Sequence, residues 1–253
     1  MPEEISLGGN LQDAVRIGDT VHRRAGPWTP AVHALLRYLE GANFPAPRVM
    51  GMDAQGREVL RFLEGDVDVG TEKPMSDAFW TDALVAEAGR MLRRYHDVVA
   101  EFRPPPSAKW RVVAPTRYEV ICHNDWSPWN ALLRVGHLAV MLDWDLAGPG
   151  TRLWDIATGM YDWAPLFRGY KYPRIEDRCR RAGIFVDAYG LEDRSELLLT
   201  LRTRMQFMAE LVEAEARAGD PGMQRLASAN WKAGRLEELR YLDENWSALE
   251  RAL

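Results

Sequence analysis

The chain has 253 residues, of which 47% are hydrophobic, and a formal net charge of −5 at pH 7. This length can bury a substantial core in one large domain or two lobes. The acidic balance argues against a nucleic-acid partner, because proteins that bind nucleic acids usually carry a basic stripe. No apolar run approaches the roughly 18 residues needed for a membrane span. Only two cysteines are present and the acidic N-terminus lacks the regions of a signal peptide, which predicts a reduced, cytoplasmic protein.

Residues 1–63 predict a small lobe built from strands and one helix. Two short strands are expected between residues 14 and 23, around a Gly-Asp turn. A helix is expected over residues 28–39, with Thr29 as its cap and Pro30 in its first turn. Residues 49–63 then predict a hairpin, which completes a sheet for this lobe.

Residues 64–77, rich in Gly and Asp, predict a hinge, and residues 78–253 predict a second, mainly helical lobe. A long amphipathic helix is expected over residues 79–102, because its apolar side chains fall on one stripe. From residue 152 onward the pattern is helical, with breaks near glycines. No internal repeat or low-complexity tract interrupts this order.

The most specific motif lies between these helical segments. It is the string His123-Asn124-Asp125-Trp126-Ser127-Pro128-Trp129-Asn130, followed by Asp143-Trp144-Asp145. Apolar runs on either side of Gly136-His137 predict a β-hairpin whose return strand brings Asp143 back beside Asn130. This spacing suits kinase-type phosphoryl transfer, in which one Asp accepts the proton of the attacking hydroxyl while an Asn and a second Asp hold Mg²⁺.

Each acidic or amide residue of the motif has a chemical and a structural interpretation. Asp125 is the predicted general base, and the alternative is a loop residue that caps a turn. Asn130 and Asp143 are predicted Mg²⁺ ligands, because this ion prefers hard oxygen donors; otherwise they cap a strand and end a hairpin. Asp145 either contacts a second Mg²⁺ or forms a turn with residues 146–148.

These residues resemble those of the aminoglycoside phosphotransferase family, small-molecule kinases with a protein-kinase-like fold. The family's H-G-D-x-x-x-x-N string and I-D-F/W motif match residues 123–130 and 142–145, and residues 153–157 match its L-x-D-hydrophobic-Ala segment. The resemblance implies a bilobal α+β fold with a small β-sheet-plus-helix N-lobe and a mainly helical C-lobe. The N-lobe, residues 1–63, would bind the nucleotide, and the C-lobe, residues 78–253, would carry the catalytic loop and the substrate pocket. The resemblance also implies ATP or GTP and Mg²⁺ as cofactors.

The resemblance assigns further roles to individual residues. His123 would support the catalytic loop by packing beneath it, and Asp155 would anchor the loop backbone or cap its own helix. Trp126 and Trp129 would form an aromatic wall for the substrate or pack under the loop. The residues implied to hold the nucleotide are Gly8, Gly9, Arg23, Phe62 and Glu64.

The small lobe departs from the family pattern at its cation. Arg23 stands where a strand Lys is usual, and Val32 and His33 stand where a helix Glu is expected to hold that cation. Arg binds phosphate bidentately, so Arg23 can replace the Lys. The alternative is that Arg23 faces solvent, and Arg24 could take its place. His33 is a candidate for holding its guanidinium.

The expected activity is Mg²⁺-dependent transfer of the γ-phosphoryl group of ATP or GTP to a hydroxyl of a small molecule. The acceptor would be an aminoglycoside-like antibiotic, which would confer antibiotic resistance, or a metabolite. Eight acids between residues 187 and 220 hint at a cationic acceptor or form a solvated helical face. The alternative is a catalytically silent, kinase-like binding or immunity protein, which the substituted Lys/Glu pair favours and the intact catalytic motif opposes. The sequence predicts no oligomeric state.

Overall fold

The computed structural model describes residues 3–8, 14–67, 76–167 and 174–253. The chain divides into two compact units. The sheet unit comprises Met1–Met75 and Arg94–Arg152, and the helical unit comprises Ser76–Arg93 and Leu153–Leu253. All described strands belong to the sheet unit, so strands and helices are largely segregated, and the predicted α+β class is confirmed. The predicted lobes over residues 1–63 and 78–253, with a hinge at residues 64–77, stay a prediction.

An antiparallel five-stranded sheet forms the first part of the sheet unit, with strand order β1-β2-β3-β5-β4. Its strands are β1 (Ile5–Gly8), β2 (Ala14–Ile17), β3 (Thr20–Arg24), β4 (Val49–Met52) and β5 (Arg57–Arg61). The two strands expected around the Gly-Asp turn are β2 and β3. The third strand pairs with β5 rather than β4, which places residues distant in the sequence side by side.

Helix α1 (Thr29–Gly41) connects β3 to β4. Its buried residues Val32, Leu35, Leu36 and Leu39 recur at helical spacing and form one apolar face. The predicted cap at Thr29 is wrong. Thr29 lies inside the first turn, and its hydroxyl accepts a hydrogen bond from the backbone N–H of Gly26 at 2.9 Å, so it fixes the approach to the helix.

Two further strand pairs carry the motif residues. Strands β6 (Val120–Cys122) and β9 (Gly148–Gly150) pair antiparallel, and β7 (Ala131–Arg134) and β8 (His137–Met141) form the predicted hairpin. Its two-residue turn lies at Val135 and Gly136, one residue earlier than the predicted Gly136-His137, because His137 already belongs to β8. The φ values in the turn are 52° at Val135 and 77° at Gly136. Positive φ at both central positions is the type I′ geometry that suits the twist of a hairpin. The β-branched Val135 adopts it at a cost and is 95% exposed.

The remaining helices build the helical unit, and two of them cross its boundary. They are α2 (Asp82–Val99), α3 (Arg152–Trp163), α4 (Ile175–Tyr189), α5 (Leu197–Arg217), α6 (Pro221–Ser228), α7 (Trp231–Glu244) and α8 (Trp246–Ala252). The backbones of α2 and α4 approach closely, because a Cβ at Gly89 would lie 2.4 Å from the Phe185 carbonyl oxygen. Among the described residues, no helix combines the length and apolar character needed to cross a bilayer.

Candidate active site

The predicted catalytic loop, residues 123–130, begins where β6 ends, and backbone contacts hold its shape. Asn124 has φ of 66°, and its side-chain amide donates to the Leu146 carbonyl oxygen at 2.9 Å. Asn tolerates this left-handed region better than most residues. A 3₁₀ turn over Pro128–Asn130 leads into β7. The backbone N–H of Leu142 donates to the Asn130 carbonyl oxygen at 2.9 Å, so the return strand ends beside the loop.

His123 is fully buried and forms two hydrogen bonds with backbone atoms. The Asp125 N–H donates to its Nδ1 at 3.2 Å, so the other nitrogen carries the proton and Nε2 donates to the Leu142 carbonyl oxygen at 2.9 Å. Its ring also meets Trp144 edge to face at 4.6 Å between centroids. This neutral ring fastens the loop to the hairpin and is poorly placed to accept a proton from substrate.

Asp125 and Asn130 lie against each other across the loop. The Asn130 amide nitrogen donates at 2.8 Å to the Asp125 carboxylate and at 2.8 Å to the Asp125 carbonyl oxygen. Asp125 is half-buried, whereas Asn130 is buried. The amide therefore orients a carboxylate that retains access to solvent, and the role of Asp125 as general base stays a prediction.

Arg23 lies at the centre of a buried ionic cluster. Its Nε donates to Glu58, its Nη1 to Asp143 at 3.0 Å and its Nη2 to Asp145 at 2.9 Å. Burial lowers the pKa of the guanidinium, but the charges of Asp145, Glu58 and Asp143 outweigh it and leave the pKa above its ordinary value. All three nitrogen atoms of the guanidinium are thus directed at carboxylates.

Glu58 on β5 is a site residue that the sequence interpretation missed. It pairs directly with Arg23 in the β3–β5 ladder, and its other oxygen accepts a hydrogen bond from His33 at 2.9 Å. His33 therefore holds Glu58 and not, as proposed from the sequence, the guanidinium. Burial raises the pKa of Glu58, but Arg23 and His33 outweigh it and the pKa lies below its ordinary value. The available signal was its position two residues before Leu60, which places both side chains on the same buried face of β5.

The carboxylates of Asp143 and Asp145 fit a Mg²⁺ ion. Oδ2 of Asp145 is buried and has no hydrogen-bond partner, while Oδ1 faces Arg23. Burial raises the pKa of Asp145 to about 7, with Arg23 opposing the shift and Asp143 adding to it. A divalent cation would supply the missing partner and counter-charge. No group of three His, Cys, Asp or Glu side chains forms a metal cage among the described residues. Mg²⁺ needs none, because it takes one or two carboxylates and completes its shell with phosphate and water.

A second buried cation lies near this pair. Arg111 precedes β6, its guanidinium lies 4.3 Å from the centroid of the Trp28 ring, and its charge lowers the pKa of Asp145. Neither residue was singled out from the sequence, because nothing local distinguishes Arg111 from an exposed arginine. The neighbour of Arg23 on β3, Arg24, is exposed, as strand alternation requires.

The residues predicted to hold the nucleotide base and phosphates are only partly described. Gly8 ends β1, and Gly9 lies outside the described residues. The Phe62 ring lies 3.6 Å from the guanidinium carbon of Arg16, and Glu64 is exposed and pairs with the same arginine at 3.2 Å. Their nucleotide roles stay predictions.

The aromatic residues of the loop and the anchor residue differ in burial. Trp126 is fully buried and Trp129 half-buried, so packing beneath the loop describes Trp126 better than an exposed wall. Asp155 is fully buried in the first turn of α3. Its predicted role as an anchor stays a prediction.

The acidic segment of residues 187–220 is mostly a solvated surface. Five of its eight acids are exposed, namely Asp187, Glu192, Asp193, Glu196 and Glu210. Asp220 caps α6 by accepting a hydrogen bond from the Met223 N–H at 2.9 Å. These contacts favour the structural interpretation of the segment over a cationic-substrate pocket.

Comparison with known proteins agrees with this geometry. Residues 106–199 match the model of the phosphotransferase enzyme family. The trifolitoxin immunity protein of Rhizobium leguminosarum bv. trifolii is 34% identical over 76% of each chain.

Solved structures share the fold at low sequence identity. The GDP complex of aminoglycoside 2′-phosphotransferase-IIIa has a TM-score of 0.63 at 16% identity, covering 96% of this chain and 93% of that one. A choline/ethanolamine kinase family protein from Mesorhizobium loti has a TM-score of 0.58 at 16% identity, covering 95% and 92%. The fold is therefore that of the protein-kinase-like phosphotransferases.

Proposed function

Because the chain belongs to the phosphotransferase enzyme family, we propose that it transfers the γ-phosphoryl group of ATP or GTP to a hydroxyl of a small molecule. The observation that supports this most directly is the joint placement of Asp125, Asn130, Asp143 and Asp145. Asn130 orients Asp125 through its side chain and meets the end of the return strand through its carbonyl oxygen. A base and a pair of hard oxygen donors therefore lie on one loop and hairpin.

In this proposal Asp125 orients the acceptor hydroxyl and takes its proton as the new O–P bond forms. Asn130, Asp143 and Asp145 would hold Mg²⁺, which when bound supplies positive charge to the nucleotide phosphates. His123 keeps the loop in position through its two backbone contacts. Positioning and fixed charge, rather than covalent chemistry, provide most of the acceleration in such reactions.

Arg23 keeps a nucleotide role in the proposal, but the structure makes that role conditional. One guanidinium faces three carboxylates, so it first offsets their charge. To grip a phosphate it must release Asp143 or Asp145, and Mg²⁺ bound to those carboxylates favours that release by replacing its charge. The proposed nucleotide contacts of Gly8, Gly9, Phe62 and Glu64 complete this half of the site.

The test is nucleotide turnover by the purified protein. Mg²⁺ with ATP or GTP is supplied to a panel of hydroxyl-bearing compounds, and release of ADP or GDP is measured beside the matched variant Asp125→Asn. Acceptor-dependent release that the variant lacks would support phosphoryl transfer. Equal release by both proteins would refute the role of Asp125.

A catalytically silent binding or immunity protein is the second candidate, because the relative described above is named as an immunity protein. The ion pairs of Arg23 with three carboxylates are also compatible with a site that catalyses no phosphoryl transfer. Calorimetric titration of the nucleotide with and without Mg²⁺ separates the two candidates. Equal affinity in both conditions, together with no turnover on any acceptor, would favour the silent protein. Mg²⁺-dependent affinity that Asp143→Asn removes would favour the kinase.

A further inference from the structure

A pocket of about 250 Å³ lies in the sheet unit. Its wall is formed by the end of α1, the loop from α1 to β4, Leu63 just after β5, and the hairpin of β7 and β8. No residue that lines it takes part in the phosphoryl-transfer chemistry proposed above. A ligand held here would therefore be a further partner of the chain, distinct from nucleotide and acceptor.

The buried part of the lining is apolar. Phe44 and Val140 have exposed fractions of 4% and 5%, and Leu63 and Ala139 are half-buried. A cavity of about 150 Å³ with apolar walls holds one benzene ring. The volume of this pocket therefore suits a single aromatic ring with a short side chain, and it lies below the roughly 300–1,000 Å³ of pockets for larger ligands.

The exposed part of the lining carries two guanidinium groups and one carboxylate. Arg134 on β7 donates from Nε to the Glu64 carbonyl oxygen at 3.0 Å, and within the described part of the chain neither of its Nη groups has a hydrogen-bond or ion-pair partner. Arg48 pairs with Glu40 at 3.3 Å, but both side chains are largely exposed and solvent screens this pair. The surplus cation, with two donor groups to spare, favours an anionic ligand.

An apolar body and one negative charge are thus the features that this pocket can recognise together. A carboxylate accepts two parallel hydrogen bonds from one guanidinium, which fixes its orientation as well as its charge. We propose that the pocket binds a small aryl monocarboxylate, with its ring against Phe44, Leu63 and Val140 and its carboxylate on the Nη groups of Arg134. This inference does not rest on the proposed function.

Binding is tested on the full chain without nucleotide or Mg²⁺, by calorimetry and ligand-observed NMR. The probe is phenylacetate. Phenethyl alcohol and phenethylamine keep its ring but are neutral and cationic, and acetate keeps its charge without the ring. Phenylacetate should bind at least about tenfold more tightly than each of the other three, because only it gains both a hydrogen bond to a charged group and the burial of a ring.

Two variants locate the bound probe. Arg134→Gln removes an exposed guanidinium and should weaken phenylacetate binding by at least about tenfold. Ala139→Phe fills the pocket from β8 while both arginines remain, and it should weaken binding by a similar factor. The matched control is Arg37→Gln, which removes an exposed guanidinium of α1 outside the pocket and should leave the affinity unchanged.

Four results would overturn the proposal. Tighter binding of phenethylamine than of phenylacetate would make Glu40 the dominant charge, and equal binding of phenylacetate and phenethyl alcohol would leave the arginines without a role. Phenylacetate binding that neither Arg134→Gln nor Ala139→Phe weakens would place the probe elsewhere, and no binding of any probe would leave the pocket to water. Because nucleotide and Mg²⁺ are absent, none of these results bears on phosphoryl transfer, and a failure of that activity leaves this inference standing.

Discussion

Replacing Arg23 by methionine tests the charge balance of the ionic cluster. Met matches the apolar part of the Arg side chain in length but removes the cation. Glu58 and Asp145 then remain buried with little compensation, while Asp143, whose side chain is 37% exposed, can turn to solvent. Arg23→Met should therefore expose how far the fold depends on this one guanidinium.

The expected destabilisation is about 3–5 kcal/mol, the usual cost of breaking a buried ion pair by removing one partner. The buried contacts of Arg23 with Glu58 and Asp145 account for this loss. The contact with half-exposed Asp143 adds little, because solvent screens that ion pair. If Asp143 and Asp145 bind Mg²⁺, the ion restores positive charge. At ten times its dissociation constant it adds roughly 1.4 kcal/mol, and its effect should be larger in Arg23→Met than in the unmutated protein, where Arg23 competes.

Urea unfolding with and without Mg²⁺ measures both effects. The matched control is Arg24→Met, which changes an exposed cation on the same strand and should stay within about 0.5 kcal/mol. A loss below about 1 kcal/mol in Arg23→Met would refute the reasoning about buried charge. Equal Mg²⁺ stabilisation of both proteins would refute the assignment of Asp143 and Asp145 as its ligands.

Three further predictions concern other parts of the chain. Asp125→Asn should lower kcat by about 10²-fold with little change in nucleotide Kd, and turnover near the unmutated value would exclude it as the base. Val135→Asn should raise the free energy of unfolding by about 1 kcal/mol, because Asn tolerates the φ of 52° that strains valine; Val113→Asn, at another exposed position, should have no such benefit. Asp162 has a raised pKa, so the folded state holds an extra proton between the unfolded pKa of 3.8 and about 7, and stability should fall as pH rises through that window. Asp162→Asn should remove that slope, at most about 2–3 kcal/mol between pH 5 and 8, and an unchanged slope in urea unfolding would show that Asp162 titrates normally.

The catalytic loop and hairpin could be predicted from the sequence because their signals are local. These signals all lie in one short, continuous segment of the chain. They are the spacing from Asp125 to Asn130, the two apolar runs that follow it and the Gly-containing turn between those runs. The burial of Arg23 and the exposure of Arg24 follow from strand alternation in the same way.

The residues that were missed depend on contacts distant in the sequence. Glu58 meets Arg23 because β3 pairs with β5 across helix α1, and no local pattern fixes that register. Asp162 is an acid inside a helix whose neighbours are all buried, so its unusual environment appears only when α3, α5 and α7 pack together. Helical periodicity tells which face is inside but not which charges meet there.

The positive φ values at Asn124 and Asp143, 66° and 54°, bear on how substitutions in this loop are interpreted. Alanine scanning would confound two effects at these positions, because Ala removes a side chain and also disfavours the left-handed backbone by roughly 1–2 kcal/mol. Asn at position 143 and Asp at position 124 are the cleaner replacements, since both residue types tolerate that conformation. A saturation library selected only for folding should accordingly retain Gly, Asn and Asp at both codons, whereas one selected for Mg²⁺-dependent nucleotide binding should retain Asp alone at position 143.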